Sequence, residues 1–111
     1  RYGIDKINAG ARAWMQGTAA LPPVLTGADS PIWSRLYSSG QAPTRCAVLA
    51  ETLTLLKAKR MVVGHTVQRG GPTSDCGGRV WRIDVGMSAH YGGAAAALEI
   101  KGDTVKILQA R

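Results

Sequence analysis

The chain has 111 residues, enough for one domain, and 45% of them are apolar, which excludes wholesale disorder. Lys and Arg number 14 against 7 Asp and Glu, a net charge of +7. No run of about 18 apolar residues exists to cross a membrane as a helix; the longest uncharged stretch, 13–28, is broken by Gln16, Gly17, Pro22 and Pro23.

Ile4, Ile7, Ala11 and Trp14 recur on one helical face, and Gly17 ends the pattern. Residues 18–41 read as a long loop, holding Pro22, Pro23, Gly27, Pro31 and Gly40. A second helix is expected from an N-cap at Thr44, with Leu49, Leu53 and Leu56 as its apolar stripe. Lys57-Ala58-Lys59-Arg60 closes it, because cations favour the negative pole of a helix. Met61-Val62-Val63 predicts a short buried strand that stops at Gly64. Residues 68–78 read as a glycine-rich loop, 80–85 as a strand, and 86–93 as a second glycine-rich loop. Ala97–Ile100 and Val105–Leu108 alternate around Lys101-Gly102-Asp103-Thr104, which predicts a hairpin. Two helices followed by about four strands do not make a self-sufficient sheet domain. They read as the second half of a layered α/β structure.

The basic balance invites a nucleic-acid reading, but the cations are scattered singly, as at Lys6, Arg12, Arg35, Arg45, Arg69 and Arg82. No aromatic–basic stacking pattern accompanies them, so no nucleic-acid partner is expected. Cys46 and Cys76 stand 30 positions apart and outside any C-x-x-C pair, which argues against structural zinc. They are either two buried thiols or one disulfide. The chain opens with Arg1 rather than Met and shows no signal-peptide pattern. The expectation is that something preceded Arg1.

Three segments carry candidate chemistry. In Val62-Val63-Gly64-His65-Thr66 a histidine follows a buried strand, where α/β folds place ligands, and imidazole is a common metal donor. A structural histidine is the plain alternative. Residues 83–93 form a loop with glycines at both ends and polar groups between, suited to close ligand approach or to a tight turn. Ser30-Pro31-Ile32-Trp33-Ser34-Arg35 sets an arginine beside a bulky tryptophan anchor, aimed at an anion or at solvent.

Together, Met61–Gln68, Cys76–Ser88 and Tyr91-Gly92-Gly93 resemble the calcineurin-like metallophosphoesterases. Within them the chain is most similar to the bacterial Shewanella-like protein phosphatases of the phosphoprotein phosphatase superfamily. Pro31–Arg35 resembles the family's Pro-Leu-Trp-Tyr-Arg, with Ile32 for Leu and Ser34 for Tyr, and Tyr2–Asn8 resembles the helix after its His-Gly-Gly motif. The resemblance implies that residues 1–111 are the C-terminal part of one domain, the C-terminal half of an αββα sandwich. It implies His65 as a ligand to one of two divalent ions (Mn, Fe or Zn), Arg35 facing the phosphate and Tyr91 lining the substrate cleft. No metal role is implied for His90, and Asp84 either orients the site or caps its strand. The family's Gly-Asp-x-His-Gly, Gly-Asp-x-x-Asp-Arg-Gly and Gly-Asn-His-Glu motifs are absent here, so the N-terminal half of the domain is the implied partner. The implied activity of the full-length protein is metal-dependent hydrolysis of phosphoproteins, phosphotyrosine before phosphoserine or phosphothreonine, or of small phosphoesters. These 111 residues alone are expected to be inactive. The alternatives are a dinucleoside tetraphosphatase and a non-catalytic remnant that binds an anion or a partner chain. The compartment stays open between bacterial cytoplasm and periplasm.

Overall fold

The computed structural model describes residues 3–39 and 42–110. Expectations resting on Arg1, Tyr2, Gly40 and Gln41 lie outside these residues. The chain divides into two compact units, the first ending at Arg35 and the second beginning at Leu36.

In the first unit, α1 (Ile4–Met15) follows the expected stripe, with Asp5 in its first turn at the positive pole. It ends as the sequence predicts. Gly17 takes a left-handed φ of +71°, its N–H donates to the Trp14 carbonyl, and the Thr18 N–H reaches back to the Ala13 carbonyl. This paired closure leaves few terminal carbonyls unbonded. Gly10 lets Pro22 approach, since a Cβ there would lie 2.9 Å from the proline ring. A 3-10 turn at Pro23–Leu25 follows, and its Leu25 is buried.

The second unit begins its regular structure with a 3-10 turn at Ala42–Arg45. The helix α2 (Cys46–Leu56) starts after it, with Arg45 in the cap position and no side-chain cap hydrogen bond. Thr44 is therefore not the N-cap. The first turn winds tightly, as helix entries often do, and shifts the α-helical start past it. Leu49 and Leu53 are buried as expected, while Leu56 in the last turn is exposed. Among the described residues five strands follow in two sheets, β1 (Met61–Val63), β2 (Thr73–Asp75), β3 (Val80–Arg82), β4 (Ala96–Lys101) and β5 (Thr104–Gln109). The first sheet has the order β1-β3-β2, with β1 parallel to β3 and β2 antiparallel to it. β4 and β5 pair alone as the expected hairpin. Of its two turn residues only Gly102 has a positive φ, +58°, which is the type II′ pattern.

The architecture of two helices followed by strands in two small sheets agrees with the sequence reading. The difference lies in β2, which falls inside the expected loop. Thr73-Ser74-Asp75 carries no apolar period. It becomes a strand because β3 otherwise leaves one edge of backbone groups unpaired.

Leu49 and Leu53 pack on Val80, with Tyr37, Met61, Val63 and Cys76 around them. This core lies on one face of the three-stranded sheet. The opposite face carries Val62, 41% exposed, and the half-buried Trp81. Cys46 and Cys76 form a disulfide that ties the start of α2 to the β2–β3 turn. Of the two sequence alternatives, the bridge is the one adopted.

Candidate functional site

Parallel pairing of β1 and β3 brings their C-terminal ends side by side, which is where open α/β sheets bind ligands. The stitching continues past the strands. The Ile83 N–H donates to the Val63 carbonyl at 3.0 Å, and the Gln68 N–H to the Asp84 carbonyl at 2.7 Å. His65 lies in the turn between these two bonds. It is exposed, and its φ of +64° puts it in the left-handed region. A non-glycine residue there costs roughly 1 kcal/mol or more, so the surrounding bonds hold the turn in a conformation it would not adopt alone.

Its neighbour Thr66 is unusual in another way. The Thr66 hydroxyl is shut from solvent and has no hydrogen-bond partner among the described residues, while its carbonyl accepts from Gln68 Nε2 at 2.8 Å. Buried polar groups are nearly always satisfied; the buried Ser30 hydroxyl in the first unit is likewise unpartnered among the described residues. Gln68 fixes the turn from behind. Its Nε2 also donates to the Ser38 carbonyl, and its Oε1 accepts from the Thr73 hydroxyl at 3.2 Å.

The loop after β3 closes against this turn. Gly86 has a φ of +60°, and a Cβ on it would meet Tyr91 Cβ at 2.8 Å and Val67 Cγ1 at 2.9 Å. Gly86 is thus the point where the histidine turn and the tyrosine loop touch. The Gly93 N–H donates to the Gly86 carbonyl at 2.9 Å, and a Cβ on Gly93 would fall 1.7 Å from the Val85 carbonyl oxygen. Residues 86–93 therefore form a closed loop that only glycine permits at its base. Tyr91 stands on it, 55% exposed, in edge-to-face contact with the His90 ring. Asp84 Oδ1 accepts from the Gly86 N–H at 3.0 Å, so its carboxylate caps the strand end.

His65 and Tyr91 are thus brought to one end of the second unit. Arg35 is exposed and belongs to the first unit. The neighbouring Trp33 is 59% exposed, so the expected tryptophan anchor beside Arg35 is not formed. The Trp33 N–H closes a turn to the Ser30 carbonyl, which orients the backbone and leaves the indole outside. Among the described residues no group of three or more His, Cys, Asp and Glu gathers to hold a metal ion. His65 alone does not fit a dinuclear centre, and these residues do not make one by themselves.

Sequence reasoning passed over Arg82, which it counted among scattered surface cations. The Arg82 side chain is only 5% exposed. Its guanidinium donates to the Tyr37 carbonyl at 2.9 Å and the Thr73 hydroxyl at 3.0 Å, and pairs with Asp75. The signal was the period of two, since Val80 and Arg82 share a strand face and Val80 is core. An inward arginine demands a nearby acid.

No family model matches the chain, and no solved structure matches it. It is 37% identical over 109 residues to Shewanella-like protein phosphatase 2 of Arabidopsis thaliana, a match covering 93% of the chain and 28% of that protein. It is 35% identical over 83 residues to an uncharacterized protein of Schizosaccharomyces pombe, covering 74% of the chain and 25% of that protein. The chain spans about a quarter of the length of these relatives. Both are eukaryotic, so the likeness is not confined to bacterial proteins. No helix among the described residues is long and apolar enough to cross a membrane.

Proposed function

We propose that this chain is the C-terminal part of a phosphoprotein phosphatase domain of the Shewanella-like kind, one that hydrolyses phosphomonoesters on proteins. The observation that carries the reading is the 37% identity, over 93% of the chain, to a protein named a protein phosphatase. That name favours a protein phosphatase over a dinucleoside tetraphosphatase. The geometry supports the same reading, because a strained histidine and an exposed tyrosine share the C-terminal end of a parallel strand pair.

In this proposal the activity depends on divalent metal, and His65 is the chain's one donor, through a neutral imidazole nitrogen. The remaining donors come from sequence beyond these 111 residues, and the chain alone is inactive. The Gly64–Gln68 turn holds His65 in place, Tyr91 walls the substrate cleft, and Arg35 offers a planar guanidinium to phosphate oxygens. Phosphotyrosine is the preferred substrate, ahead of phosphoserine and phosphothreonine.

The test is a chimaera in which this chain replaces the matching segment of the Arabidopsis phosphatase. With manganese supplied, it is expected to dephosphorylate a phosphotyrosine peptide faster than a phosphoserine peptide. His65→Ala is expected to lower kcat by about a hundredfold or more. A folded chimaera with no turnover, or His65→Ala with undiminished turnover, would refute the reading.

A further inference from the structure

The other end of the parallel strand pair carries a second feature. Residues before β1 and β3 meet the last turn of α2 around a cleft of about 340 Å³. Ala50, Leu53, Thr54 and Ala58 line it together with the charged Lys57, Lys59 and Arg79. β1 and β3 are three residues long, so this cleft lies about 10 Å along the strands from the His65 end.

Cations at a helix C-terminus ordinarily serve the helix dipole. That account falls short here for two reasons. Two of the last carbonyls are already bonded, since the Lys57 N–H donates to the Thr54 carbonyl and the Ala58 N–H to the Leu53 carbonyl. Arg79 comes from a different segment, the turn at Cys76-Gly77-Gly78, whose three residues all have positive φ and whose first is held by the disulfide. Lys57 is itself an outlier. It occupies the left-handed closing position, with a φ of +52°, that Gly17 fills in α1. A lysine there gives up about 1 kcal/mol of backbone ease that glycine would keep. Of the acids, Asp103 pairs with Lys59 at the cleft itself, and Asp75 pairs with Arg82. Lys57 and Arg79 make no ion pair among the described residues.

We propose that this cleft is an anion-binding site for a phosphate group on an apolar stem, separate from the His65 site. Lys57 and Arg79 supply charge-assisted hydrogen bonds to the phosphate oxygens, with Arg79 able to bind two at once. The apolar side chains of Ala50, Leu53 and Ala58 in the lining take the stem, and its burial separates an organic phosphate from the free ion. The inference does not rest on the phosphatase reading, because it invokes no residue of that site.

The test is an amide NMR titration of the 111-residue chain at low ionic strength, with phenylphosphonate, which cannot be hydrolysed, and with inorganic phosphate. Phenylphosphonate is expected to give saturable shifts at residues 57–59 and 78–79, and to bind about fivefold tighter than inorganic phosphate. Lys57→Gly combined with Arg79→Gln is expected to weaken it about tenfold. Lys57→Gly relieves the left-handed strain, and a thermal melt at or above that of the unmodified chain separates lost binding from lost folding. Equal binding of the two probes, shifts centred on residues 64–66 and 91, shifts spread over every cation, or unweakened binding by the double variant would each overturn the proposal.

Discussion

Replacing both Cys46 and Cys76 by serine tests how the second unit is held together. The bridge closes a loop with a sequence separation of 30. In the chain-entropy account, closing a loop of that length removes about 12 cal/mol/K from the unfolded ensemble, or about 3.6 kcal/mol at 25 °C. The comparison that matters is with the core. Leu49, Leu53 and Val80 are its three buried members, and each contributes roughly 1.5–3 kcal/mol by burial. The disulfide is thus worth one or two of the three. The double variant is expected to melt roughly 15–20 °C below the bridged chain, followed by circular dichroism and Trp81 fluorescence. Thiol alkylation of the native chain should label neither cysteine. A melt within about 3 °C of the unmodified chain, less than 1 kcal/mol, would refute the claim that the bridge is a principal support.

Three further outcomes follow from the same geometry. Gly93→Ala places a methyl against the Val85 carbonyl oxygen and forces the 86–93 loop open, at a cost of about 3 kcal/mol. Fast exchange of the Gly86-bonded amide would report it, and unchanged protection would contradict it. Arg82→Met strands Asp75 and costs about 3 kcal/mol in urea denaturation, whereas Arg82→Met with Asp75→Leu recovers part of the loss; a double variant no better than the single one would refute the coupling. The hydrogen bond and charge of Lys59, opposed weakly by desolvation, hold the Asp103 carboxyl below the usual aspartate range. A depressed folded-state pKa stabilises the native state above the unfolded-state value, and the gain is lost as pH falls through the lowered one. Lys59→Gln should return the Asp103 titration, followed by carboxyl NMR, toward the ordinary range, and an unmoved titration would show that Lys59 is not the cause.

The candidate site was half legible in the sequence. Gly64-His65-Thr66 and the 86–93 loop were visible because glycine and polar residues punctuate apolar runs. The histidine's left-handed backbone and the sealed Thr66 hydroxyl were not, since the turn that carries them is flanked by bonds between residues distant in sequence, Ile83 to Val63 and Gln68 to Asp84. Arg82 was legible in principle from the strand period but was missed, because its acid lies on a strand with no apolar pattern.

What the amino-acid order settled by itself is local. The stripe and stop of α1, the apolar face of α2 and the β4–β5 hairpin each depend on residues within one turn or one strand pair. Tertiary structure decided the rest, namely β2, the pairing of Cys46 with Cys76, the helix start beyond Thr44, and the approach of Val67 and Tyr91 to Gly86. The physical reason is the same in each case. Backbone groups, charges and side-chain volumes must be satisfied by whichever partner the fold brings near, and that partner is not encoded in the neighbouring residues.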